Sequence, residues 1–382
     1  MISRRKFLRS ASAGLVAVSA ARLKTATPAR AQNRVRFKIE ILQDNLSSPW
    51  ALGLLPDGGA LLSERSGRLF LLDTPAAPRK QRISGLPKIN AGGQGGLLDV
   101  QPTPNFADTG EIVFAAAVGD GGRVGTEVFR ARLAGARLAE VERIFAAEPK
   151  SRGGRHFGCR LRFTRDGDLV FGLGERGDPP RARDPDDDAG KIHRIRLDGA
   201  PASGNPFADG DGAGRATVVA SGTRNSQGLE VHPRTGAVWF HEHGPRGGDE
   251  VNLLRVGADY GWPLTTHGRA YSGGSIGVGP EAAGIESPLW VWVPSIAPSG
   301  MDFWFGEPFG ESLFAGALAG RLLARLTLSG ESVVSEERYL EDWGRRIREV
   351  RTEYDGAGVP RSLLILTDES RDAVLARLAP ML

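Results

Sequence analysis

The chain of 382 residues carries 49 Lys and Arg against 45 Asp and Glu, with 52 glycines, 24 prolines and one cysteine. Seven of the basic residues fall within the first thirty-one positions, leaving 42 basic against 45 acidic beyond them, so the main body is not a basic nucleic-acid binder. The lone Cys159 excludes an intrachain disulfide, dithiol redox chemistry and a Cys-x-x-Cys-His haem attachment.

Residues 1–31 read as a twin-arginine export signal. Ser3-Arg4-Arg5-Lys6-Phe7-Leu8 supplies the arginine pair, Ala11 to Ala21 the apolar run, and Ala29-Arg30-Ala31 a small-residue cleavage site. Eleven apolar residues fall short of the ~20 that span a bilayer, so no membrane anchor is expected and the mature chain is assigned to the periplasm. Residues 32–382 then form one domain.

Within that domain one pattern returns six times: a short apolar strand, a glycine-bearing turn and a second apolar strand. The first copy is Trp50–Leu55 with Ala60–Leu62, and the second is Gly96–Val100 with Gly110–Phe114. Gly158–Phe163 with Asp166–Phe171 is the third, and Leu229–Pro233 with Gly236–Phe240 the fourth. Ser299–Phe303 with Glu311–Ala315 and Glu349–Thr352 with Leu363–Thr367 complete the series. Turns near 58, 110, 167, 236, 310 and 356 lie about one four-stranded blade apart, and no long helical periodicity interrupts them. The predicted fold is all-β, a six-bladed propeller with four-stranded blades.

In a propeller the loops preceding the innermost strands gather at one mouth of the central channel. Those segments are unusually polar here. Gly93-Gln94-Gly95 leads into unit two, Gly154-Arg155-His156-Phe157 into unit three, Arg224-Asn225-Ser226-Gln227 into unit four and Arg346-Ile347-Arg348 into unit six. His241-Glu242-His243-Gly244-Pro245, at the far end of the unit-four hairpin, returns to the same side. Arg224 is suited to fork onto a carboxylate or quinone oxygen, and the Gly244 and Pro245 carbonyls are suited to a hard cation such as calcium. Arg346 and Arg348 alternate, so both project to one face.

Gly-Gln-Gly-Gly-Leu-Leu-Asp at 93–99, His-Phe-Gly at 156–158, Arg-Asn-x-Gln-Gly at 224–228, Glu-His-Gly-Pro-Arg-Gly-Gly-Asp-Glu at 242–250 and Arg-Ile-Arg at 346–348 resemble the soluble sugar dehydrogenases that use pyrroloquinoline quinone (PQQ), the glucose/sorbosone dehydrogenase family. The likeness runs from about residue 40 to 375. It implies PQQ and calcium at the channel mouth and oxidation of an aldose at C1 to the lactone, with electrons passed to a soluble or membrane-linked acceptor. By position, His156 is implied as general base and Arg224 as the group facing charge that develops on the quinone. Asn225, Gln227, His243, Arg346 and Arg348 are implied as further cofactor ligands, Gln94 and Arg155 as sugar contacts, and Gly244 and Pro245 as metal ligands.

Two positions depart from the family pattern. Ala319 stands where a lysine is usual, with Arg321 two residues on, on the same strand face, as a substitute cation if the loop permits, and Arg155 stands where Asp or Asn usually precedes the base. A calcium-dependent lactonase on the same fold and a propeller binding module with a degraded site are the alternative readings.

Overall fold

The computed structural model describes residues 35–77, 79–210 and 214–381; residues 1–31, the expected export signal, lie outside the described residues. Each of the six strand pairs forms, and each is extended outward by two further antiparallel strands. Blade 1 is β2 (Pro49–Leu54), β3 (Ala60–Glu64), β4 (Arg68–Leu72) and β5 (Gln81–Ile83). Blade 2 is β6 (Leu97–Pro102), β7 (Glu111–Asp120), β8 (Arg123–Ala134) and β9 (Arg137–Ala146). Blade 3 is shorter, with β10 (Leu161–Phe163), β11 (Leu169–Gly172), β12 (Ile192–Ile195) and β13 (Val218–Ala220). Blade 4 holds β14 (Ser226–Val231), β15 (Val238–Glu242), β16 (Asp249–Leu253) and β17 (Trp290–Trp292), and blade 5 holds β18 (Pro298–Gly306), β19 (Gly310–Ala317), β20 (Leu323–Ser329) and β21 (Ser332–Tyr339).

Blade 6 closes the ring. Its inner strands β22 (Ile347–Tyr354), β23 (Pro360–Thr367) and β24 (Ala373–Met381) come from the C-terminal end, while its outermost strand is β1 (Arg36–Leu46) from the other end of the chain. Arg36 pairs with Met381 and Leu46 with Ala373, so backbone hydrogen bonds clasp the circle and cover what would be an open edge. The six-bladed, all-β architecture agrees with the reading of the sequence.

The apolar faces of neighbouring blades pack on each other, so the core is six clusters between blades instead of one central mass. Leu61 and Leu69 of blade 1 meet Val100 and Phe114 of blade 2, and Trp239 and Trp292 of blade 4 meet Met301 and Phe303 of blade 5. The inner strands β2, β6, β10, β14, β18 and β22 are thereby held side by side around the channel.

Two local features position the rim. In five of the six inner hairpins the register shifts within the first residues of the inner strand, as between Ser226 and Gly228 or Ile347 and Glu349. Such bulges bend the strand and re-aim its side chains at the channel mouth. Further along the same strands, charges fill the channel: Asp99 on β6, Arg160 just before β10 and Arg162 on it, and Glu349 and Arg351 on β22, all buried, with the partly buried Glu230 on β14. Arg162 Nη1 lies 3.1 Å from Asp99, Arg162 Nε 2.5 Å from Glu230, Arg351 Nη1 2.9 Å from Glu230, and Arg160 pairs with Glu349.

Candidate active site

The channel mouth holds two adjoining cavities of about 510 and 580 Å³ that share Gln94, Asn225, His243, Ala297 and Ala319. The first is lined in addition by Trp50, Arg65, Gln227, Arg346, Arg348 and Asp368. His156, Arg224, Gly244 and Pro245 line the second, with Tyr271 and Val293 at its edge.

His156 sits on the loop into β10 with φ of 56°, a left-handed conformation that costs a non-glycine residue about 1–2 kcal/mol. Neighbouring contacts fix it there. Its backbone N–H donates to Gln94 Oε1 at 2.7 Å, and its carbonyl lies against Gly174, where an added Cβ would come within 2.4 Å. The imidazole Nδ1 pairs with the Glu175 carboxylate, a residue 1% exposed whose oxygen also accepts the Gly177 amide at 3.0 Å. That contact leaves Nε2 as the ring nitrogen available to a ligand. Burial lowers the His156 pKa below its ordinary value; Glu175 opposes the shift, and the Arg224 and Arg155 charges add to it. The imidazole is therefore neutral near pH 7.

Arg224 is held from both ends. Its backbone amide and that of Asn225 donate to the buried Glu242 carboxylate, which burial pushes up to about 7. Its Nη1 donates to the carbonyls of His243 at 3.0 Å and Gly244 at 2.9 Å, and Nε is buried with no hydrogen-bond partner among the described residues. His243 Nε2 donates to the Pro298 carbonyl at 2.6 Å, and burial drops its pKa to about 3, so it too is uncharged.

In the first cavity Arg346 and Arg348 project to the same side and share one acceptor. Arg346 Nη2 is 2.8 Å from Asp368 Oδ2, and Arg348 Nη2 is 3.0 Å from Oδ1. Arg348 Nη1 also donates to Gln227 Oε1 at 3.2 Å. Asn225 Oδ1 accepts from the Gly158 amide at 3.4 Å.

Thus Gln94, His156, Arg224, Asn225, Gln227, His243, Gly244, Pro245, Arg346 and Arg348, drawn from four blades, meet around one pair of cavities. Arg155 does not join them: it is exposed, outside both linings, and its side chain lies against Gly177. The substitute role expected of Arg321 also needs correction. Strand β19 ends at Ala317, so Ala319 and Arg321 share no strand face; Arg321 turns away with φ of 52° and donates to the Gly344 carbonyl at 2.7 Å. Sequence reasoning missed Glu175 and Arg65 and gave Asp368, part of the family-like Leu366-Thr367-Asp368-Glu369, no site role. All three follow the second strand of a blade, which runs antiparallel to the first and returns the chain to the rim. The same topology delivers His243 and Ala319.

The arrangement can receive a flat polyanion in the first cavity and a small polar substrate beside His156 and Arg224 in the second. Three guanidinium groups line the first cavity against one carboxylate, and buried donors at Arg65 and Arg224 lack partners, so the residues present fit a planar quinone bearing carboxylates. Gly244 and Pro245 line the second cavity and carry main-chain oxygens of the kind calcium takes, that of Gly244 also accepting from Arg224 Nη1 at 2.9 Å. No helix among the described residues is long and apolar enough to cross a membrane.

The sequence profile of the glucose/sorbosone dehydrogenase family matches residues 46–376. The aldose sugar dehydrogenase YliI of Escherichia coli K12 is 41% identical over 352 residues, covering 88% of this chain and 91% of that protein. The crystal structure of the soluble aldose sugar dehydrogenase of E. coli in its apo form superimposes with a TM-score of 0.85 at 39% identity, over 90% of this chain and all of that one. The PQQ-bound aldose sugar dehydrogenase of Streptomyces coelicolor gives 0.73 at 26% identity, over 90% of this chain and 98% of that one. With its propeller, its polar channel mouth and a match along nearly the whole domain, the chain belongs to the glucose/sorbosone dehydrogenase family and is a sugar dehydrogenase.

Proposed function

We propose that the protein binds PQQ and calcium at the channel mouth and oxidises an aldose at C1 to the lactone. The observation that carries this reading is the joining of a cation-rich cavity to a neutral, carboxylate-oriented histidine through the shared residues Gln94, Asn225 and His243. Arg346 and Arg348 hold carboxylates of the cofactor, with Asn225, Gln227 and His243 as further contacts. Gly244 and Pro245 supply main-chain ligands to calcium. When bound, PQQ supplies the two-electron acceptor for the hydride that leaves C1.

The protein's own part is proton transfer and charge placement. His156 Nε2 takes the proton of the C1 hydroxyl, and Glu175 on Nδ1 fixes the tautomer and steadies the imidazolium that results. Arg224, desolvated and with a donor unpaired, faces negative charge that builds on the acceptor side. Gln94 anchors the backbone of His156 and offers its amide nitrogen to a sugar hydroxyl. The lone Cys159 leaves no covalent haem in this chain, so the electrons pass to a separate acceptor. Residues 1–31 direct export by the twin-arginine route to the periplasm.

The test is reconstitution of the apoprotein with PQQ and calcium, followed by the quinone absorption as aldoses are added. Reduction of the quinone by an aldose, with lactone as product, is the expected result; a bound quinone that no aldose reduces would overturn the reading.

A further inference from the structure

Arg65, immediately after β3, lines the same cavity as Arg346 and Arg348, yet no motif marks it. No carboxylate lies within 4.0 Å of its guanidinium among the described residues; the adjacent Glu64 pairs with Arg68 instead. Among the described residues its side chain makes one hydrogen bond, from Nη1 to the Gly93 carbonyl at 3.2 Å, and Nε is buried with no partner.

The backbone that carries Arg65 is fixed. Its N–H donates to the Ser48 carbonyl at 3.0 Å, and its carbonyl accepts the Leu97 amide at 3.2 Å. Gly96, with φ of 136°, lies so close that an added Cβ would sit 2.0 Å from the Arg65 oxygen. Blades 1 and 2 thus clamp this residue at the rim. Its position after a second strand corresponds to His243, Ala319 and Asp368 in blades 4, 5 and 6, all of which line the cavity. Moreover, partial burial first and then the Arg348 and Arg346 charges lower its pKa while Asp368 raises it, which places its charge in the same electrostatic cluster. A half-buried cation among like charges, on a rigid support and with no carboxylate within 4.0 Å among the described residues, is a preorganised anion contact.

We propose that Arg65 is a cofactor-binding residue, a third guanidinium that joins Arg346 and Arg348 in holding the carboxylates of PQQ. It supplies from blade 1 the cation that Ala319 does not supply from blade 5. The inference rests on the PQQ reading above.

The test is titration of PQQ, with calcium present, into wild-type apoprotein and the Arg65→Ala, Arg65→Lys and Arg321→Ala variants. Quenching of tryptophan fluorescence reports binding, since Trp50 lines the cavity. Arg65→Ala should weaken PQQ by about tenfold to a hundredfold, the range for a hydrogen bond to a charged group. Arg65→Lys should fall between Ala and wild type because it keeps the charge and loses the fork, and Arg321→Ala should match wild type. Thermal melting of the apo variants shows that each is folded, and Arg65→Lys decides the matter if Arg65→Ala is not. Wild-type affinity in both Arg65 variants would overturn the assignment while leaving the PQQ reading intact. Failure of the wild-type protein itself to bind PQQ would overturn both.

Discussion

The channel contains two clusters of arginine, which meet on blade 6 where Arg348 of one precedes Arg351 of the other, and they differ in how they are neutralised. Deep in the channel, Arg160, Arg162 and Arg351 are matched by Asp99, Glu230 and Glu349, each guanidinium within 4.0 Å of two carboxylates. At the mouth, Arg65, Arg346 and Arg348 line a cavity that contains one carboxylate, Asp368. Trp50 touches both sets: the central guanidinium carbon of Arg160 is 4.2 Å, and that of Arg348 6.0 Å, from its ring centroid. Identical side chains therefore serve opposite ends. A matched cluster ties the inner strands of separate blades together, and an unmatched one is left to be completed by an anionic ligand.

The sharpest test of this contrast lies at the base that the mouth surrounds. His156→Ala should lower turnover by about 10²–10⁴ while PQQ still binds, as steady-state kinetics and fluorescence titration would show. In the deep cluster, Glu349→Ala strips the carboxylate from Arg160, which is 1% exposed, and should cost about 3–5 kcal/mol in a denaturant melt. Arg348→Ala at the mouth should leave the apoprotein within about 1 kcal/mol of wild type, because it also relieves repulsion, while weakening PQQ. A large stability loss in the Arg348 variant would erase the distinction between the two clusters.

Smaller effects concern pH. If, as proposed, neutral His156 is the base, kcat/KM should fall as pH drops through its lowered pKa, below the ordinary ~6.5. Glu175 raises that pKa, so Glu175→Gln should move the acid limb to lower pH and also reduce kcat by roughly tenfold through loss of orientation. Arg155 lowers it, so Arg155→Ala should move the limb slightly the other way. Shifts of the same sign in the two variants would contradict the electrostatic assignment.

The hairpins of the blades were legible because their two inner strands are buried, and the apolar alternation is punctuated by glycines such as Gly167, Gly236 and Gly310 at positive φ. The outer strands were not. β5, β13 and β17 have three residues each, too few to show a period, and β1 joins blade 6 through partners more than 300 positions away. At the site, the residues ahead of the inner strands stood out because glycine-rich polar runs interrupt an apolar pattern. Glu175 and Arg65 did not, since each is one charged residue beside another, Arg176 or Glu64, and only the antiparallel return of the second strand shows that it reaches the rim. Arg321 misled for the complementary reason: a two-residue spacing implies a shared face only while the strand continues, and β19 stops at Ala317.

The most direct measurement is a crystal structure of the protein with PQQ and calcium. The account predicts PQQ in the cavity of about 510 Å³, its carboxylates on Arg65, Arg346 and Arg348, and calcium on the Gly244 and Pro245 carbonyls. PQQ bound elsewhere, or seated with its carboxylates away from these arginines, would contradict it.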